Sequence, residues 1–294
     1  MAGGQERTLR RRIRSVQSTK KITKAMELIA ASRILKAQQA VAAARPYSEA
    51  VTRVLANLAA AGAGSGSPLL ATRDEVRVVA YVVVAGDRGL CGGYNASVIR
   101  AAEASIKRTI AQGKQYRLIC VGKKVESYFR FRGYQISAVV NGTSDRPTYE
   151  DARRVAATVL PDFECGDVDA VELIYTQFLS AGSQKVVQRH FLPLDTAAMA
   201  APVEDGPKAD YEYEPSAEAI LERLLPRYAE GRLYSAMLDG SASFFAAQQR
   251  AMASASENAD ELITKLTRLR NRARQDAITT EIMEIVGGAE ALAH

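Results

Sequence analysis

No stretch of this 294-residue chain approaches 18 consecutive apolar residues; the longest such run lies near Val78–Ala85. A membrane-spanning helix is therefore not expected. The charged N-terminus is not followed by an apolar core, which argues against a signal peptide. Cysteine is scarce: Cys91, Cys120 and Cys165 are the whole complement. Three cannot all pair within one chain and none forms a CxxC, so a reduced, cytosol-facing protein is expected. Histidine is scarcer still, with only His190 and His294. His190 falls in a strand-like segment and reads as structural. No His, Cys and carboxylate set has metal-ligand spacing, and no nucleophile–base pair stands out. No metal, no cofactor and no active site are expected.

Glycine and proline are missing from two long windows, Gln5–Arg45 and the residues between Gly240 and Gly287. Nothing there breaks a helix. In the second window Leu262, Leu266, Leu269 and Ala273, then Ile278, Ile282 and Ile285, follow at gaps of three and four within each group, with a step of five between Ala273 and Ile278 where the stripe drifts. That puts an apolar stripe along one helix face. At 1.5 Å per residue, Ala229–Val286 would run to roughly 85 Å, so much of this helix should project and need a partner. In the first window Leu9, Ile13 and Val16 form one stripe, and Ile22, Met26 and Ile29 continue it after a shift. Alanine-rich faces, Ala30–Ala44 and Ala246–Ala255, suit close approach. The heptad is broken in both, so an irregular, weakly supercoiled antiparallel pair is expected. Pro46 permits a kink, with helical spacing resuming at Val51.

The formal net charge of +6 is unevenly placed. Residues 1–60 carry +9 and the rest −3. A basic segment of this kind calls for an acidic partner: nucleic acid, anionic lipid or an acidic protein surface. Aromatic residues are absent from 1–46, so no stacking platform for single-stranded nucleic acid accompanies it.

Between the helices the period changes. Gly62–Pro68 is a linker. Val76–Val84, Arg117–Val121, Tyr134–Val140 and Val171–Phe178 read as strands, and Asn95–Ala111, Val125–Phe131 and Tyr149–Val159 as helices. Lys185–Phe191 follows a Gly182-Ser183 turn as a hairpin partner. This alternation predicts an α/β domain with a mainly parallel, Rossmann-like sheet and one antiparallel edge. The expected plan is 1–60 as an N-terminal coiled-coil helix, 69–193 as the inserted α/β domain, a loop over 194–215, and 216–294 as the C-terminal helix. Ser216 is the N-cap of that last helix, with Glu218 in its first turn.

Gly86–Gly93 lies between a strand and a helix, where phosphate loops sit. It is neither GxGxxG nor a Walker loop, and a tight turn with close backbone approach is the plainer reading. Glu281 and Glu284 share a helix face; with Arg272 and Arg274 upstream they read as a solvated face.

Three stretches resemble the gamma subunit of rotary F-type ATP synthases: Ile13–Val16 continuing through Lys20–Glu27, Asp87–Gly93, and Arg274–Ile282 closing on Glu284–Ala289. The resemblance covers nearly the whole chain. It implies a non-catalytic shaft, two paired helices inside a ring of three alpha and three beta subunits. The α/β domain would meet the epsilon subunit and the membrane c-ring, on the cytoplasmic face of a bacterial membrane. Nucleotide chemistry would sit on beta. By motif position, Arg274 and Gln275 would contact a loop of beta, and Lys24, Met26 and Arg88 would face its acidic lever segment. Thr279, Glu281 and Glu284 would lie opposite Met26 and tie the helices together. Two other readings stand beside it. One is a basic coiled-coil scaffold that binds nucleic acid or anionic membrane; the other is a nucleotide-dependent enzyme using the glycine turn.

Overall fold

The run Val78–Val84 (β1) sends successive side chains to opposite faces, and both faces are buried. Ala80, Val82 and Val84 join one apolar cluster; Val79, Tyr81 and Val83 join another. A strand covered on both sides is the usual centre of a parallel sheet, and this explains why β1 is apolar throughout. In the computed structural model, which describes residues 2–60, 66–195 and 213–292, β1 pairs in parallel with β2 (Gln115–Val121) and β4 (Ala170–Phe178). β2 pairs in parallel with β3 (Ala138–Val140), and β5 (Gln184–Leu192) closes the sheet antiparallel to β4. The order is β3-β2-β1-β4-β5, with the single antiparallel edge that the sequence predicts.

The helices are α1 (Ala2–Ala60), α2 (Tyr94–Ala111), α3 (Lys123–Phe131), α4 (Tyr149–Ala156), α5 (Leu160–Glu164) and α6 (Ala217–Leu292). α1 runs on through Pro46. The Ser216 hydroxyl accepts from the Ala219 amide at 3.2 Å, which makes it the expected cap of α6. Most of the expected linker and most of the loop over 194–215 lie outside the described residues. Cys91, Cys120 and Cys165 are free thiols, the first two buried.

The chain divides into two compact units, Met1–Ala30 with Gln248–His294, and Ala31–Ala247. In the larger unit α2 and α3 cover one face of the sheet together with Ile34 and Phe244–Ala246. α4, α5, Val51–Leu58 of α1 and Leu221–Met237 of α6 cover the other. Packing thus extends this unit well beyond the 69–193 that strand–helix alternation delimits.

Two element boundaries differ from the sequence reading. The strand expected over Tyr134–Val140 shrinks to Ala138–Val140 because the preceding donors are engaged elsewhere. The Tyr134 amide closes α3 on the Phe129 carbonyl at 3.0 Å, and the Gln135 amide donates to the Tyr116 hydroxyl at 3.1 Å. The helix expected over Tyr149–Val159 stops at Ala156, and Pro161 sits in the first turn of a separate α5. A capping box between Thr148 and Asp151 starts α4; it is worth about 1 kcal/mol.

Within the smaller unit the two long helices pack antiparallel. Lys20 reaches Asp260 at 2.6 Å and Thr23 reaches Ser256 at 2.7 Å, so α1 numbers fall as α6 numbers rise. Ile13, Thr23 and Ala30 are buried on α1; Met252, Ser256, Ala259, Leu266 and Ala273 are buried on α6. This seam is not the apolar stripe that periodicity suggests. Ile22 and Ile29 are 61% and 54% exposed, and Leu269 is 54% exposed. Counting threes and fours from Ile13 leads to Val16, Lys20, Thr23, Glu27 and Ala30, so heptad spacing holds while residue type does not. The irregularity lies in polar residues occupying seam positions.

Candidate partner-contact sites

At Lys20–Glu27 the outer face of α1 carries charge and the inner face carries hydroxyls. Thr23 and Ser256 have one hydrogen bond between them, and either hydroxyl can donate it. The other hydroxyl then donates to its own helix, Thr23 to the Lys20 carbonyl at 3.0 Å or Ser256 to the Met252 carbonyl at 2.9 Å. Both buried groups are satisfied either way, which a seam position requires. Lys24 is exposed and donates to both carboxylate oxygens of Glu27 at 3.0 Å. Met26 is half-buried beside the seam.

The register corrects one expectation. Met26 lies a turn from Thr23 and so faces α6 near Ser256. Thr279 lies about 35 Å farther along α6 at 1.5 Å per residue. Thr279, Glu281 and Glu284 are all exposed, and the structure does not bring them to Met26. The helices are tied at that level by Thr23–Ser256 and Lys20–Asp260 instead. Arg274 and Gln275 are exposed on the same helix. Beyond them Ile278, Ile282 and Ile285 present an apolar face that is 45%, 54% and 71% exposed.

In the larger unit the glycine turn is a structural junction. The Asp87 carboxylate accepts from the Lys123, Gly142 and Ser144 amides at 3.1, 3.0 and 3.1 Å, and from the Ser144 hydroxyl at 2.8 Å. Burial alone would raise its pKa, but these donors outweigh it and hold the carboxyl below the usual carboxylate range. Backbone amides of this kind are what a phosphate would need, and here a side chain of the same chain occupies them. Gly122 sits at φ +109°, where a Cβ would come within 2.4 Å of the Ala85 carbonyl oxygen. The closest backbone approach is therefore at Gly122, outside the turn, whereas at Gly86 a Cβ would first meet the side chains of Asn95 and Phe244. Burial pushes the Cys91 thiol up, which makes it a poor nucleophile.

Arg88 projects from this turn and ion-pairs with Asp145, which also holds Arg33 of α1 at 3.3 Å. The Arg33 guanidinium lies 5.3 Å over the Phe245 ring of α6. Asp145 thus joins the turn to α1. Sequence reading does not find it, since Asp145 is 57 positions from Arg88 and 112 from Arg33 and belongs to no motif. Thr23 and Ser256 leave a faint signal: each falls at seam spacing, but a search for apolar residues skips both.

Among the described residues no group of His, Cys, Asp and Glu is placed to hold a metal ion, and no helix is long and apolar enough to cross a membrane.

The family model described as ATP synthase matches residues 5–292. The ATP synthase gamma chain of a Parafrankia species is 49% identical over 99% of this chain and 98% of its own length. Among solved structures, a chain of the central stalk and c-ring of Tetrahymena thermophila mitochondrial ATP synthase is 25% identical. It covers 80% of this chain and 99% of its own, with a TM-score of 0.60. A chain of Euglena gracilis mitochondrial ATP synthase, 19% identical, covers 99% and 95% with a TM-score of 0.67, and shows the same fold.

Proposed function

Since the chain belongs to the ATP synthase gamma-chain family, we propose that its antiparallel helix pair turns as one body inside a ring of three alpha and three beta subunits. It is a non-catalytic stalk subunit, and proton flow through the membrane sector drives ATP synthesis on beta through its rotation. Turning changes which beta conformation the shaft favours, a shift of populations among states that exist already. The helix pair engages the ring; the sheet unit engages the epsilon subunit and the c-ring, on the cytoplasmic face of a bacterial membrane. Arg274 and Gln275 contact a loop of beta. Lys24, Met26 and Arg88 face an acidic segment of beta, an assignment that the basic excess of residues 1–60 supports.

The observation that carries this reading is the tying of the two helices by Thr23–Ser256 and Lys20–Asp260 in a chain 49% identical to a gamma chain along its whole length. A shaft with a polar seam and exposed apolar residues on its outer faces is built to be surrounded. Purification from native membranes tests it. The chain is expected to co-elute with a large ATPase, one copy for three each of two nucleotide-binding subunits. Elution alone, or ATP hydrolysis by the isolated chain, contradicts it.

A further inference from the structure

Within the larger unit α6 changes sides. Leu233, Ala236 and Met237 belong to the apolar cluster on one face of the sheet, and Phe244, Phe245 and Ala246 to the cluster on the other. From Met237 to Phe244 the helix rises about 10 Å, comparable to the distance of about 10 Å between packed layers. Between them runs Gly240-Ser241-Ala242-Ser243, and every position from Gly240 to Ala246 is buried. A helix buried all round passes through a body and does not lie on its surface.

The crossing lies at the carboxyl ends of β1 and β4. The chain lays β2 and β3 on one side of β1, and β4 and β5 on the other, so β1 and β4 flank the point where the strand order reverses. Open α/β sheets take their ligands in the crevice at that point. The pairing of β1 with β4 ends at Val83 and Ile174, while β4 runs on to Phe178. Beyond it the Thr176 carbonyl accepts from the Ser243 hydroxyl at 3.1 Å. The Tyr94 hydroxyl, at the start of α2, donates to the Gly240 carbonyl at 3.0 Å. A carbonyl has two lone pairs, so this bond holds α6 without breaking its ladder. Ser241 donates more weakly to the Asp145 carbonyl at 3.4 Å. A Cβ on Gly240 would already touch the Tyr94 hydroxyl and Val84, at 3.4 and 3.5 Å. The Phe244 ring stands edge-on to Tyr94 with centroids 5.7 Å apart. The place of a ligand is filled by this chain's own helix.

We propose that this crevice is the socket through which the sheet unit turns the shaft, and that Tyr94 and Ser243 are the positioning residues that keep α6 from twisting in it. The inference deepens the stalk reading above and rests on it. Torque carried from the sheet unit into α6 acts as a twist about the helix. Apolar contact with small side chains is non-directional and gives little leverage against a twist. Hydrogen bonds weaken steeply with misalignment and do resist it. The two bonds run to different elements, α2 and β4, so the helix is held from two sides at one level.

The test uses the assembled complex, with the ring immobilised and a bead attached at Cys165, the exposed thiol of the sheet unit. During pauses the angular variance of the bead measures how stiffly the sheet unit holds the shaft. Tyr94→Phe with Ser243→Ala removes both bonds and little volume. Its variance is expected to be about two-fold that of the parent, with each single variant in between. Unloaded ATP hydrolysis should be unchanged and ATP synthesis under high load lowered. Ser105→Ala is the control: it removes a 2.6 Å bond to Gln188 in the same unit, and neither partner is on α6. It should lower the melting temperature while keeping the parent's variance. A double variant with the parent's variance overturns the inference, and so does equal widening in Ser105→Ala. If the double variant does not assemble, the two single variants decide the matter in the same way. A parent chain that joins no ring, or does not turn in one, sinks the stalk reading itself.

Discussion

Thr23 and Ser256 meet at 2.7 Å, both buried, in a seam that also buries Ile13, Ala30, Met252, Ala259, Leu266 and Ala273, all apolar. One hydroxyl donates across the seam and the other to its own helix, so neither residue depends wholly on its partner. Thr23→Val keeps the volume and removes the cross-helix bond at a cost of about 1 kcal/mol. Ser256→Ala should cost about the same. The double variant should cost less than the two together, because no hydroxyl is left facing an apolar group. Chemical denaturation of the four proteins in that cycle measures the coupling; strict additivity would mean the hydroxyls do not interact.

Gly122 and Gly113 both have positive φ, at +109° and +73°, but only Gly122 has backbone where a Cβ would go, the Ala85 carbonyl oxygen at 2.4 Å. Gly113→Ala should cost about 1 kcal/mol, the left-handed penalty alone. Gly122→Ala should cost about 3 kcal/mol or more, since β1 must move away from the start of α3. Melting temperatures of the two variants rank them, and equal losses would contradict the close approach.

Asp239 on α6 is pushed up to about 6 by burial, with Arg189 only partly opposing that. The folded state therefore binds its proton more tightly than the unfolded chain, whose carboxyl titrates near 3.9. Stability falls as pH rises through the window from about 4 to 6 and stays lower above it. Because Asp239 is only half-buried and solvent screens it, the loss is discounted to about 1 kcal/mol. Asp239→Asn should raise the melting temperature at pH 7.5 and give little gain at pH 4. A variant less stable at pH 7.5 would show that the attraction of Arg189 outweighs the burial.

Much of the larger unit was legible in the sequence because burial on both faces leaves a run such as Val78–Val84, and because Ser216 caps by a local bond. Alternation overextends β3 because the Tyr134 amide turns back to close α3 on Phe129 and the Gln135 amide goes to the Tyr116 hydroxyl of β2, and neither bond alters the apolar pattern of the run. The seam was misread for a different reason. Ile22 and Ile29 are apolar yet face outward, while Thr23 is polar yet faces inward, so apolar periodicity pointed at the surface a partner would cover. The resemblance implies Thr279, Glu281 and Glu284 opposite Met26, and the antiparallel register separates them from it. Asp87 and Asp145 act through tertiary contacts that leave no trace in local spacing.

Arg274 and Gln275 are exposed, and among the described residues their side chains make no hydrogen bond or ion pair. Replacing both with Ala should leave the folded chain within about 0.5 kcal/mol of the parent while lowering ATP synthesis and proton-coupled hydrolysis by the assembled enzyme. Normal rates in both would remove these two residues from the proposed contact with beta.

A rotating shaft of this kind requires the helix pair to turn as one body. Thr23→Cys with Ser256→Cys would bond α1 to α6 at a point where their side chains already touch. ATP synthesis by the assembled enzyme, compared in its oxidised and reduced forms, is the direct measurement. Equal rates are predicted, because nothing that moves relative to anything else has been tied. A reversible loss on oxidation would show that the two helices must slide or part during turnover, and that would contradict the account.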